Sequence, residues 1–102
     1  MIDKEHKVVR FVAEYCEQTE FRTARYDLAS FDLPSFQEEF GEWDKSSPMF
    51  HCYEVAEGNL PFLKRHLRNE PHWDFERYSY FVEACAYNPT LEVTGVNAGT
   101  ST

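Results

Sequence analysis

Lys7-Val8-Val9-Arg10-Phe11-Val12-Ala13-Glu14-Tyr15-Cys16 is the stretch on which the fold turns. Val8, Phe11, Val12 and Tyr15 offer a helical face, while Val9, Phe11, Ala13 and Tyr15 offer a strand face, so periodicity leaves both open. The β-branched and aromatic content favours a strand. The polar break Glu17-Gln18-Thr19-Glu20, followed by a second alternating run, favours a hairpin. Its second strand is expected over Phe21 to Leu28, with Phe21, Thr23 and Arg25 on one face and Arg22, Ala24 and Tyr26 on the other.

Downstream, Asp32-Leu33-Pro34-Ser35-Phe36-Gln37-Glu38 reads as a helix start, because Ser35 and Glu38 have capping-box spacing. Gly41 is expected to end that helix. Phe36 and Phe40 share a face with Leu33, which leaves Glu38, Glu39 and Glu42 pointing mainly outward. After the loop Ser46-Ser47-Pro48, Phe50 to Val55 alternates as a strand. A second helix opens at Glu57-Gly58-Asn59-Leu60-Pro61, with Asn59 as the expected N-cap and Leu60, Leu63 and Leu67 as its apolar stripe. The last strand runs from about Arg77 to Tyr87 and sets Tyr78, Tyr80, Val82, Ala84 and Ala86 opposite Ser79, Phe81, Glu83, Cys85 and Tyr87. The order ββαβαβ implies an α+β domain over residues 1–90, with an antiparallel-rich sheet of about four strands and two helices on one face. Residues 91–102, which end in Asn97-Ala98-Gly99-Thr100-Ser101-Thr102, read as a loose tail.

The 102 residues are 42% hydrophobic and 17% aromatic, enough for one small core and too few for a two-domain enzyme. No apolar run approaches the roughly 20 residues of a membrane span, and the first residues lack a signal-peptide stretch, so a cytoplasmic protein is expected. Cys16, Cys52 and Cys85 are too scattered for a disulfide framework and are expected to be reduced and mostly buried, with Cys52 in the core.

Catalytic signatures are sparse. His6, His51, His66 and His72 form no HExxH or HxH pattern, there is no CxxC pair, and no glycine-rich phosphate loop occurs. His51 and Cys52 are adjacent on an expected strand and so point to opposite faces, which argues against a nucleophile and base pair. His66, beside Leu63 and Leu67, reads as a helix-face residue with a satisfied ring. His72-Trp73-Asp74 could orient an imidazole, but it has no nucleophile in view. No cofactor and no metal are expected.

Charge is more informative. Of the net −8, five negative charges fall in residues 37–57, which hold six acids and one base. Glu38, Glu39, Glu42, Asp44, Glu54 and Glu57 would repel a phosphate backbone or an anionic membrane and would steer a basic partner. Charge runs are also ordinary solvated faces. Trp43 lies between Glu42 and Asp44, and Trp73 lies between His72 and Asp74, the pattern of an aromatic anchor with carboxylates to answer Lys and Arg. Core filling is the competing reading, stronger for Trp73 than for Trp43.

Phe31-Asp32-Leu33-Pro34, Pro48-Met49-Phe50-His51-Cys52-Tyr53-Glu54-Val55 and Asp74-Phe75-Glu76-Arg77-Tyr78-Ser79-Tyr80-Phe81-Val82-Glu83-Ala84 together resemble a family of small bacterial domains that includes immunity proteins of contact-dependent growth inhibition systems. The resemblance covers about residues 7 to 88. It implies a non-enzymatic cytoplasmic protein that binds and blocks a cognate toxin domain, with a basic nuclease as the expected class, and it carries no catalytic residues to transfer. From the sequence itself, Glu38, Glu39, Glu42, Trp43 and Asp44 are the expected toxin-binding residues, with Glu54, Glu57, Trp73 and Asp74 at the edge of the same surface. Two other readings stay open. One is a small enzyme with a carboxylate and histidine cleft; the other is an acidic anti-defence protein that mimics DNA, which predicts acids spaced like phosphates over an extended face.

Overall fold

Nine residues of the ambiguous stretch, Val8–Cys16, form the strand β2, and every other strand but one pairs with it. The structure, a computed structural model, describes residues 1–87. The elements in chain order are β1 (Ile2–Asp3), β2, β3 (Arg22–Asp27), α1 (Leu33–Glu39), β4 (Tyr53–Glu54), a 3-10 turn (Glu57–Asn59), α2 (Leu60–Lys64) and β5 (Tyr78–Ala86). All strand pairs are antiparallel. On one side β2 pairs with β5 over its whole length, and on the other it pairs with β1 and then β3, while β4 adds to the outer edge of β5. The expected single α+β domain with two helices is therefore present, enlarged by the short β1. The loose tail expected at 91–102 lies outside the described residues. Among the described residues, no helix is long and apolar enough to cross a membrane.

The two faces of the sheet differ. Val12, Tyr80 and Val82 point toward the helices and join Phe36 of α1 and Phe62 and Leu63 of α2, with Leu28, Met49 and Val55 from the connections. Alternation dictates this, because Tyr80 and Val82 share a face of β5 and Val12 pairs directly with Val82. Phe36 sits at the centre of the aromatic packing, with ring centroids 4.3 Å from Phe31, 4.8 Å from Phe62 and 5.0 Å from His66. His66 also meets Ser30 Oγ through Nδ1 at 2.9 Å, so its ring is satisfied as expected.

Several local expectations are corrected. The N-cap of α1 is Asp32, whose carboxylate accepts from the Ser35 amide at 3.3 Å and from the Ser35 hydroxyl. Pro34 explains the shift, since its fixed φ and missing N–H suit the first helical turn and start the helix before Ser35. Gly41 follows the helix at φ +76°, the left-handed conformation that glycine adopts without strain. Asn59 holds the expected N-cap position of α2 but lies in helical conformation and makes no side-chain cap there; its side chain instead accepts from the Ala56 amide at 2.8 Å. The strand expected over 50–55 pairs only at Tyr53–Glu54, because Met49 turns at φ 57° and Phe50 folds over Arg10.

The register of β3 is also revised. Tyr15 pairs with Arg22 but Ala13 pairs with Arg25, so one extra residue, Thr23, is accommodated in a bulge. Arg22 and Arg25 therefore share a face, and both guanidinium groups lie over the Phe11 ring, at 5.8 and 4.3 Å. The thiols depart from expectation too: all three cysteines are free, Cys16 is half-buried, and Cys52 and Cys85 are exposed. Cys52 lies outside the core because the ladder begins only at Tyr53.

Sequence reading missed one buried polar centre. Arg10 is 1% exposed. Its Nε and Nη2 donate to Asp3 Oδ2 at 3.1 and 3.0 Å, and its Nη1 donates to the Met49 carbonyl at 3.0 Å. The Phe31 ring lies 4.1 Å from the guanidinium carbon. His6 joins through Nδ1, 3.0 Å from Asp3 Oδ2. Burial opposes ionisation of Asp3, yet the hydrogen bonds of His6 and Arg10 together hold its carboxyl below the usual range.

Candidate functional site

The segment after α1 brings five of the expected residues together. Gln37 is 2% exposed and donates from Nε2 to the carbonyls of Lys45 at 3.2 Å and Ser47 at 2.8 Å, tying the following loop back onto the helix. That tie is a structural cause of the site, and its signal in the sequence is slight: an amide one residue after a buried phenylalanine. Glu42 continues the turn with its amide on the Gln37 carbonyl at 2.7 Å. Trp43 projects from this frame and is 86% exposed, the most exposed large apolar residue among the described residues. A shallow concavity of about 460 Å³ opens beside it, lined by Gln37, Glu38, Gly41, Glu42, Trp43 and Lys45.

The carboxylates around Trp43 are not equivalent. Glu38 is exposed. Asp44 is exposed and turns inward on its own loop, accepting from Ser46 through both amide and hydroxyl at 3.0 and 2.7 Å, which lowers its pKa. Glu39 and Glu42, expected mainly outward, are half-buried because β4 and the 3-10 turn supply donors. Glu39 accepts from Asn59 Nδ2 at 2.9 Å, and Glu42 accepts from the Tyr53 hydroxyl at 2.5 Å. The Tyr53 hydrogen bond is the main reason that the Glu42 pKa is lowered. Fixed negative charge therefore borders an exposed indole without the side-chain mobility of a free surface acid.

The outer candidates divide. Glu57 opens the 3-10 turn that Asn59 fastens to Glu39, which sets it beside the main group. Glu54 is exposed on β4, in register with Phe81 on the helix-free side of the sheet. Trp73 and Asp74 belong to a different part of the molecule and serve the fold. Trp73 packs edge to face on Tyr80 at 4.8 Å and donates from Nε1 to Glu70 at 3.0 Å. Asp74 accepts from the amides of Glu76 and Arg77 at 3.1 and 3.2 Å, closing the turn into β5, and its own amide donates to the Tyr80 hydroxyl at 3.0 Å. The structure does not join these two residues to Trp43.

A serine hydroxyl and an imidazole that no sequence pattern connects, those of Ser30 and His66, meet from positions 36 residues apart. The imidazole is packed on Phe36 and Phe62, and burial lowers its pKa. Among the described residues, no group of three or more His, Cys, Asp or Glu side chains is placed to hold a metal ion.

A family model described as a domain of unknown function, DUF7683, matches residues 9–83. No curated protein and no solved structure matches the chain.

Proposed function

This chain belongs to the DUF7683 family, and we propose that it is an immunity protein: a cytoplasmic binder that neutralises a cognate bacterial toxin domain, with a basic nuclease as the expected class. The observation that carries the reading is Trp43, 86% exposed on a fixed turn between Glu42 and Asp44. An exposed aromatic of this size becomes favourable when a partner's pocket covers it, each such anchor being worth about 2 kcal/mol or more on truncation. The acids around it answer basic side chains, and the net charge of −8 speeds the encounter with a positively charged surface. A nuclease must display such a surface to hold its substrate, so an acidic body seated there blocks the active site both sterically and electrostatically. The resemblance to immunity proteins makes a toxin domain the partner of choice.

The test is affinity capture with the tagged protein from its native cells, followed by expression of the captured partner with and without this chain. A stoichiometric basic partner that is toxic alone is expected. Trp43→Ala combined with Glu38→Lys and Asp44→Lys is expected to abolish both capture and protection. Capture that survives this triple change would move the interface elsewhere. A partner that is harmless alone would sink the immunity reading.

A further inference from the structure

The sheet face without helices carries a concavity of its own. A cavity of about 390 Å³ opens there, lined by Tyr15, Glu17, Cys52, Ser79, Phe81 and Glu83 among others. Its floor is aromatic, with the Tyr15 and Phe81 rings meeting edge to face at 5.8 Å. Glu83 forms a wall, and its Oε2 accepts from the Tyr15 hydroxyl at 2.6 Å. That hydrogen bond, then burial, pushes the Tyr15 pKa up to about 12, so the phenol keeps its proton and serves as a donor that orients the carboxylate. The Cys52 thiol is pushed up as well, by burial and by the nearby Glu83 charge. Glu17, at the rim, accepts from the Ser79 hydroxyl. None of the described residues lining the cavity is Lys or Arg.

These features select the charge and the shape of an occupant. An anion would meet Glu83 and Glu17 on the walls, with Arg22 and Arg77 acting on Tyr15 and Cys16 only from outside the lining, and an uncharged apolar group would cover a carboxylate without pairing it. A planar cation satisfies every wall: it can pair with Glu83 through its N–H fork while its face lies on the aromatic floor. A compact ammonium would use the charge but not the floor. The cavity is an open depression on a sheet face, so a guanidinium and its methylene stem fit within it while whatever carries them stays outside. We propose that this cavity receives the arginine side chain of a protein partner. The proposal deepens the immunity reading and rests on it for the source of the arginine. Cys52 lines the cavity, whereas its neighbour Tyr53 reaches Glu42 beside Trp43, so a partner lying across the β4 edge could engage both places.

The experiment is a backbone amide NMR titration of the isotope-labelled full chain with N-acetyl-arginine amide, using the uncharged N-acetyl-citrulline amide as the matched control. Saturable shifts centred on Tyr15, Phe81 and Glu83 are expected with the first and not with the second. Glu83→Gln should weaken binding by about tenfold or more. Equal response to both probes, or none to either, overturns the proposal, and this wild-type comparison stands even if Glu83→Gln does not fold. Free arginine binding more than about tenfold tighter than the capped amide would indicate a free amino-acid site and also overturn it. Because the titration uses a small probe and needs no protein partner, a failure here is separable from a failure of the capture experiment.

Discussion

Arg10 and Trp43 are placed against the usual preferences of their side chains, in opposite senses. Arg10 carries a positive charge at 1% exposure, and Trp43 holds a large apolar ring at 86% exposure. Around Arg10 the chain supplies its own compensation: a carboxylate from β1, a carbonyl from the turn at Met49 and an aromatic ring from Phe31. Around Trp43 the chain supplies carboxylates and no cover. An unusual placement that is answered from within serves the fold, whereas the one left unanswered is the feature on which the proposed binding reading rests.

The contrast can be broken by substitution. Asp3→Ala strands the Arg10 charge and is expected to cost about 3–5 kcal/mol in urea unfolding, with Arg10→Met in the same chain recovering much of the loss. A change below about 1 kcal/mol would mean that the ion pair is not the support described. Gln37→Leu leaves the Lys45 and Ser47 carbonyls unpaired and should cost about 1–3 kcal/mol; because it frees the loop that carries Trp43, partner affinity should fall with it. Tyr15→Phe removes one hydrogen bond to Glu83 and should cost about 1 kcal/mol. In the intact protein, absorbance titration should find one tyrosine ionising near pH 12. Since the folded value is raised, its contribution is complete below pH 10 and disappears as pH rises through 12. Trp43→Ala should change stability by no more than about 0.5 kcal/mol while removing the proposed binding anchor. A large stability loss there would place the indole in the fold and erase the comparison.

Acid should separate the same two regions. The Asp3 carboxyl is depressed in the folded protein, so its stabilisation is present above the unfolded value of about 4 and is lost as pH falls through the lower folded value. Unfolding measured between pH 5 and 2 should show this limb in the parent chain and a weaker one in Arg10→Met. Trp43→Ala should leave it unaltered.

What was legible in the sequence follows from how local each cause is. The alternation of Val8 to Cys16 and of Tyr78 to Ala86 contains its own geometry, so the central ladder and the helix-facing side of β5 could be read directly. Phe36 and Phe40 announce the buried side of α1 for the same reason. Arg10 could not be placed, because its partners Asp3 and Met49 lie 7 and 39 residues away and nothing in the local pattern marks an inward arginine. The bulge at Thr23 is a matter of register between two strands, so the β3 faces expected from alternation alone were misassigned. Trp43 was poised between core and surface by its acidic neighbours, and the Gln37 tie settles the matter in three dimensions. Trp73 looked like its twin in sequence, yet Tyr80 and Glu70 absorb it into the fold. The Tyr15 and Glu83 cavity was invisible for a plainer reason: its walls come from segments separated by most of the chain.

The ladder between β2 and β5 joins residues 8–16 to residues 78–86. During synthesis the β2–β3 hairpin can form early and Val12 can meet Phe36, Phe62 and Leu63 before the end of the chain, but the other edge of β2 stays unpaired until β5 emerges. At roughly 5–20 residues per second, that wait lasts roughly 3–12 s from the end of β3. Through this interval the nascent chain shows an open strand edge to the cell, and its exposure to chaperones and to misassociation is set by the distance between two strands rather than by the strength of the finished sheet.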